Sequence, residues 1–146
     1  PKTLAAAYTP VLIGISITYL LGFSHGFISF MALLCATLIQ IGTNFANDYY
    51  DFKKGSDRDD RIGFTRMVVA GNISAQHMLN GTIVCMSLAF VLGLYLVYIG
   101  GWQILAIGVS SILFGILYTG GPYPLGYNGL GDIFVFIYFF VVFIIF

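Results

Sequence analysis

Ten of the twelve charged side chains fall between positions 48 and 66: Asp48, Asp51, Lys53, Lys54, Asp57, Arg58, Asp59, Asp60, Arg61 and Arg66. Only Lys2 and Asp132 lie elsewhere. Over the whole chain 59% of residues are hydrophobic and 8% are charged, where a soluble globular chain carries about 25% charge. A polar island in so apolar a chain excludes disorder, which needs high polarity throughout. It also excludes a nucleic-acid binder, which needs a basic face, because the net charge is +0. A hydrocarbon core about 30 Å thick takes ~20 mostly apolar residues per helix, and this chain has several such runs. The fold class that follows is all-α: a polytopic transmembrane helical bundle with one charged loop.

The apolar runs place spans at about 4–23, 27–50, 75–99 and 102–118, and a fifth, incomplete one at about 132–146. Residues 1–146 read as a single membrane domain. The loop at 51–74 is polar, and that at 119–131 is rich in Gly, Pro and Tyr. The chain opens on Pro1 and stops at Ile144-Ile145-Phe146, inside an apolar run with no interfacial anchor, so a fragment of a longer protein is expected. No signal-peptide pattern precedes the first span. Five of the six Lys and Arg residues lie between spans two and three, which makes that loop cytoplasmic by the positive-inside rule. Span counting then puts Lys2 and the 119–131 loop on the same side, and Ser24-His25-Gly26 and Gly100-Gly101 on the other. Cys35 and Cys85 sit in apolar runs without a C-x-x-C or a nearby His cluster, so they read as small buried residues. Ala89 with Gly93, and Ser111 with Gly115, have the small-xxx-small spacing that lets helices approach closely.

Gln40, Asn44, Asn47, Asp48 and Asp51 stand at offsets that share one face of an α-helix. Such a stripe cannot face lipid and must meet protein or a wet cavity. Its carboxylates and carboxamides are hard oxygen donors, suited to Mg²⁺, Mn²⁺ or Ca²⁺. Lys53, Lys54, Arg58, Arg61 and Arg66 follow directly, and cations beside acids fit a metal-bridged anionic ligand carrying phosphate. Three other readings use the same residues: hydrogen-bonded helix packing in a structural subunit, a solvated ion-pair cluster at Arg58, Asp59 and Asp60, and a polar path through an ion or substrate transporter. An EF-hand is excluded by spacing, and Lys54-Gly55-Ser56 has the wrong order for a Walker A loop.

The run Asn47-Asp48-Tyr49-Tyr50-Asp51, with Asp57 after it, resembles the first aspartate-rich motif of the UbiA superfamily of intramembrane prenyltransferases. Arg61-Ile62-Gly63-Phe64-Thr65-Arg66-Met67 and Ala70-Gly71-Asn72-Ile73-Ser74 are similar to that family's following loop. The form of 43–57, with Gly121-Pro122-Tyr123-Pro124-Leu125-Gly126-Tyr127 and Gly129-Leu130-Gly131-Asp132, resembles the MenA branch, which acts on 1,4-dihydroxy-2-naphthoate. The chain departs from the general pattern at Gly55, where an Asp is usual and the branch uses Asp57. It departs again at Phe64, where Pro is usual, and at Asn72, where Arg is common.

The resemblance implies nine spans around a cavity, with this chain as the N-terminal part and a second aspartate-rich motif beyond Phe146. It implies a Mg²⁺-dependent enzyme that transfers a polyprenyl group from polyprenyl diphosphate to dihydroxynaphthoate with decarboxylation, giving demethylmenaquinone. Another UbiA-type aromatic prenyltransferase is the alternative. Asn47, Asp48, Asp51 and Asp57 are then the expected metal ligands, and Asp48, Asp51 and Arg66 the catalytic residues. Asn44, Lys53, Lys54, Arg61, Arg66, Tyr123 and Tyr127 are the expected substrate contacts, the tyrosines offering π faces to an allylic cation. The implied setting is a bacterial inner membrane, multi-pass, and the fragment alone is expected to be inactive.

Overall fold

The structure, a computed structural model, describes residues 3–23, 25–55, 67–68, 70–131, 133–134 and 136. These residues form four helices and no strand: α1 (Leu4–Leu20), α2 (Gly26–Lys54), α3 (Ala75–Gly100) and α4 (Trp102–Leu117). By length and apolarity α2 and α3 are able to cross a membrane, while α1 and α4 are shorter apolar helices. The expected span at 132–146 lies outside the described residues except for 133, 134 and 136.

The helix ends have local causes. α1 stops at Leu20 rather than at Phe23. Gly22 takes φ 82°, and the Phe23 and Gly22 N–H groups return to the Thr18 and Tyr19 carbonyls, which is a Schellman termination. α2 runs through Lys54, past the hydropathy boundary at Tyr50, so 51–54 form its last turn instead of opening the loop. Nothing between 50 and 54 breaks the backbone ladder, Lys53 and Lys54 suit the negative end of the helix dipole, and Gly55 at φ 62° supplies the left-handed cap. α3 starts where Ser74 Oγ accepts the His77 N–H at 3.3 Å, an N-cap. Gly101, at φ 83°, turns α3 directly into α4.

α2 is the spine, with its most extensive contact on α3 and further contacts on α1 and α4. Along α2 and α3 the contacts run antiparallel. Cys35 Sγ donates to the Ala89 carbonyl at 3.8 Å, Gly42 lies against Cys85 and Met86, and Gly81 lies against Phe45. α4 runs parallel to α2, Gly115 meeting Thr43 and Gly120 meeting Tyr50. Of the two small-residue pairs, Gly115 does sit at a close approach, whereas Gly93 has open space beside it. Cys35, Ala46, Met78, Met86 and Ala89 form the buried α2–α3 seam. Leu20, Phe30, Val91 and Leu113 are exposed on outer faces, where hydrocarbon is the compatible solvent.

The 29 residues of α2 reach about 44 Å at 1.5 Å per residue, longer than a ~30 Å hydrocarbon core. Its last turns therefore reach the edge of the apolar layer. The same end of the bundle collects the start of α1, the segment at 67–68 and the loop after α4. Their contacts with α2 build the site.

Candidate functional site: an acidic face under two loops

Asp48 and Asp51 lie three residues apart on α2, so their side chains are neighbours on one face. They are 6% and 2% exposed. Asn47 and Asn44 stand one turn back on the same stripe, and each of the four is met from outside α2. Asn44 Nδ2 donates to Thr3 Oγ1 at the head of α1, at 2.8 Å. The Met67 N–H donates to Asp48 Oδ2 at 3.1 Å. Thr119 Oγ1 donates to Asn47 Oδ1 at 2.7 Å. The Tyr127 hydroxyl donates to Asp51 Oδ1.

The loop after α4 closes over this face. Gly120 N–H bonds the Ile116 carbonyl at 2.8 Å, and the Leu125 and Gly126 N–H groups return to the Leu117 and Tyr118 carbonyls, curling 118–127 back toward α2. A Cβ at Gly120 would stand 2.7 Å from both the Ile116 carbonyl oxygen and the Tyr50 ring, so glycine is what lets the loop lie on α2. Lys54 Nζ donates to the Thr119 carbonyl at 2.6 Å and lies 5.4 Å from the Tyr127 ring centroid. Lys53 lies 5.9 Å from the Tyr49 ring. A cation over a ring face is favourable, so both lysines stand beside the acids with their ammonium groups near aromatic walls.

A cavity of about 400 Å³ lies next to the site among α1, α2, α3, α4 and the loop, and its walls are mostly apolar. Gln40 and Thr43 on α2, and Tyr118 and Leu125 on the loop, line it. Thr43 is one helical turn from Asn47, so the polar face and the apolar chamber share a border. Gln40 faces the chamber rather than a hydrogen-bonded loop, which divides the stripe into a chamber end and an acidic end.

The donor set fits a small hard cation: two carboxylates and a carboxamide, all oxygen, none soft. Magnesium commonly takes one or two carboxylates and completes its shell with water and phosphate oxygens. Among the described residues no group of three or more His, Cys, Asp or Glu converges, so this face alone offers no more than part of a coordination shell. Simple helix packing would not call for two carboxylates on one buried face, since like charges repel and burial penalises both.

Of the residues expected from sequence, Asn44, Asn47, Asp48, Asp51, Lys53, Lys54 and Tyr127 stand at this end of α2 or against it. Tyr123 does not join them; it is 68% exposed on the loop. Asp57, Arg61 and Arg66 lie outside the described residues, as do Arg58, Asp59, Asp60 and Asp132. Thr119 and the backbone of Met67 were not anticipated. Thr119 had a faint signal as a polar residue between an apolar run and Gly120-Gly121, whereas a backbone donor leaves none.

A profile of the UbiA prenyltransferase family matches residues 7–146. The chain is 39% identical over 145 residues to a 1,4-dihydroxy-2-naphthoate octaprenyltransferase of Escherichia coli, an alignment covering 95% of this chain and 47% of that protein. It is 34% identical over 135 residues to a protein of the same name from Bacillus subtilis, covering 92% and 43%. It is 30% identical over 136 residues to a 2-carboxy-1,4-naphthoquinone phytyltransferase of Synechocystis, covering 91% and 43%. The chain thus spans about half the length of the curated relatives it matches. No solved structure matches it at a significant level.

Proposed function

This chain belongs to the UbiA prenyltransferase family, and from that premise we propose that it carries the diphosphate-binding part of a membrane enzyme that prenylates 1,4-dihydroxy-2-naphthoate. The observation that carries the reading is the buried acidic face of Asp48 and Asp51, with Asn47 beside it, at the border of an apolar chamber. The names of the relatives support a polyprenyl donor and an aromatic naphthoate-type acceptor.

In this reading Asn47, Asp48 and Asp51, with Asp57, hold Mg²⁺. When bound, the ion supplies charge neutralisation to the departing diphosphate. Lys53, Lys54, Arg61 and Arg66 bind the diphosphate oxygens, where charge builds as the bond breaks. The donor's C–O bond breaks to an allylic cation and diphosphate, and the electron-rich naphthoate ring attacks the cation. The new C–C bond forms as carbon dioxide leaves, giving the quinol form of demethylmenaquinone with no change of oxidation state in the ring. The isoprenoid tail occupies the apolar chamber. Tyr49, Tyr50 and Tyr118 wall the acidic end and keep water from the cation, and Asn44 contacts substrate from the same face of α2. The bundle is polytopic in the bacterial inner membrane, with the charged loop on the cytoplasmic face. The contacts of Lys54 with Thr119 and of Asp51 with Tyr127 support that arrangement, because they bring the charged loop's origin and the 119–131 loop to one side.

The test is substitution in the full-length protein. Asp51→Ala reduces Mg²⁺-dependent transfer from polyprenyl diphosphate by about 10²-fold or more, with membrane insertion retained. Unchanged turnover in that variant overturns the reading. An ion path along the stripe is disfavoured, since Asn44, Asn47, Asp48 and Asp51 are each engaged by a fixed partner. Prenyl-diphosphate-insensitive ion flux in liposomes would reinstate it.

A further inference from the structure

Two side chains of the loop after α4, Thr119 and Tyr127, bond oxygens of Asn47 and Asp51 on α2. We infer that these hydroxyls are positioning groups for the metal-binding face: they fix the rotamers of Asn47 and Asp51 without touching substrate. The inference rests on the proposed function, because it assigns a purpose to Asn47 and Asp51 that only a bound cation gives.

The geometry separates the two hydroxyls from ordinary loop anchors. Each is an O–H donor aimed at an oxygen of the stripe: Thr119 Oγ1 at Asn47 Oδ1, 2.7 Å away, and Tyr127 Oη at Asp51 Oδ1. A carboxylate has about four lone-pair sites and a carboxamide oxygen two. A single hydroxyl donor therefore orients each group without exhausting that group's acceptor sites. Donors that hold metal ligands in place raise metal affinity, and removing one costs about 10–100-fold. Lys54 stiffens the same arrangement from the other side. Its ammonium bonds the Thr119 carbonyl at 2.6 Å and sits 5.4 Å from the Tyr127 ring centroid, so both donors are held by one cation. Asp51 is 2% exposed and two residues of the loop converge on its helix turn, an investment of contacts that loop closure alone does not need.

The inference gives Tyr127 a different role from a π wall for a reacting cation. As a wall its ring would matter; as a positioning group its hydroxyl does. Tyr127→Phe separates these, since it keeps the ring beneath Lys54 and removes only the donor. Thr119→Val and Thr119→Ser make the same separation at Asn47.

The experiment is a Mn²⁺ titration of the full-length protein in detergent with saturating inorganic pyrophosphate, read as the thermal unfolding midpoint and so independent of turnover. In Y127F and T119V the Mn²⁺ concentration giving half of the maximal stabilisation rises about 10-fold or more, while T119S stays near the wild type. Wild-type midpoints in both Y127F and T119V overturn the inference, and so does a fall in metal-free stability with the Mn²⁺ dependence unchanged, which marks a structural role. If the wild type itself shows no Mn²⁺-dependent stabilisation, the metal reading under the proposed function fails and this inference falls with it. That outcome is distinct from binding that is intact and insensitive to the hydroxyls.

Discussion

Lys54 Nζ donates to the Thr119 carbonyl at 2.6 Å, joining the last turn of α2 to the first residues after α4 across 65 positions of sequence. The lysine is exposed over most of its length, yet its head group ties down the loop that also presents Thr119 and Tyr127 to the acidic face. A cation in this place locks one element onto another.

Lys54→Met keeps the stem and deletes the charge. Losing a charge-assisted hydrogen bond at a partly solvated site costs about 1 kcal/mol, or a melting shift of about 2–4 °C for a chain of this size. On the proposed function, the KM for polyprenyl diphosphate rises more than kcat falls. Thermal unfolding in detergent and steady-state kinetics check both parts, and a variant with the wild-type melting point and KM contradicts them.

Gly55 caps α2 at φ 62°, with nothing within 4 Å of where a Cβ would stand. Gly55→Ala therefore tests backbone strain alone, at a cost of about 1–2 kcal/mol. Gly55→Asn loses less, because Asn tolerates the left-handed region. Denaturant or thermal unfolding of both variants gives the order Gly, Asn, Ala from most to least stable.

At Gly115 a Cβ would stand 2.5 Å from Thr43 Oγ1. Gly115→Ala destabilises the α2–α4 contact by about 1–3 kcal/mol despite alanine's better helix propensity. Thr43→Ala removes the obstructing oxygen, so the double variant recovers most of the loss. A double-mutant cycle on unfolding free energies reads the coupling directly, and additive effects would refute it.

Ser74 caps α3, accepting the His77 N–H at 3.3 Å and meeting His77 Nδ1 at 2.6 Å. Ser74→Ala costs about 1 kcal/mol. Hydrogen exchange checks it, with faster exchange confined to the first turn of α3.

The periodic part of this architecture was readable in advance. The polar stripe from Gln40 to Asp51 follows from helical spacing in an apolar run, and so does its need for a protein or watery neighbour. The end of α2 was not, because hydropathy falls at Asp48 whereas backbone hydrogen bonding continues until Gly55 takes its left-handed turn. Nor were the partners of the stripe. Thr119 lies 72 residues from Asn47, and Met67 reaches Asp48 through its backbone, which every residue except proline has. Tyr127 stood out as an aromatic, but the direction of its O–H is a property of the folded loop.

Close approaches at Gly42, Gly81 and Gly115 meet α2 within the one turn from Gly42 to Phe45, on its faces toward α3 and α4, and together they hold its azimuth. One residue of slip turns a helix by about 100°, enough to carry Asp48 and Asp51 from the bundle interior toward the acyl chains. The orientation of the acidic groups is thus set by small residues that meet α2 a turn or two away. A methyl group added there would reach the acidic face as a rotation, with no polar atom altered.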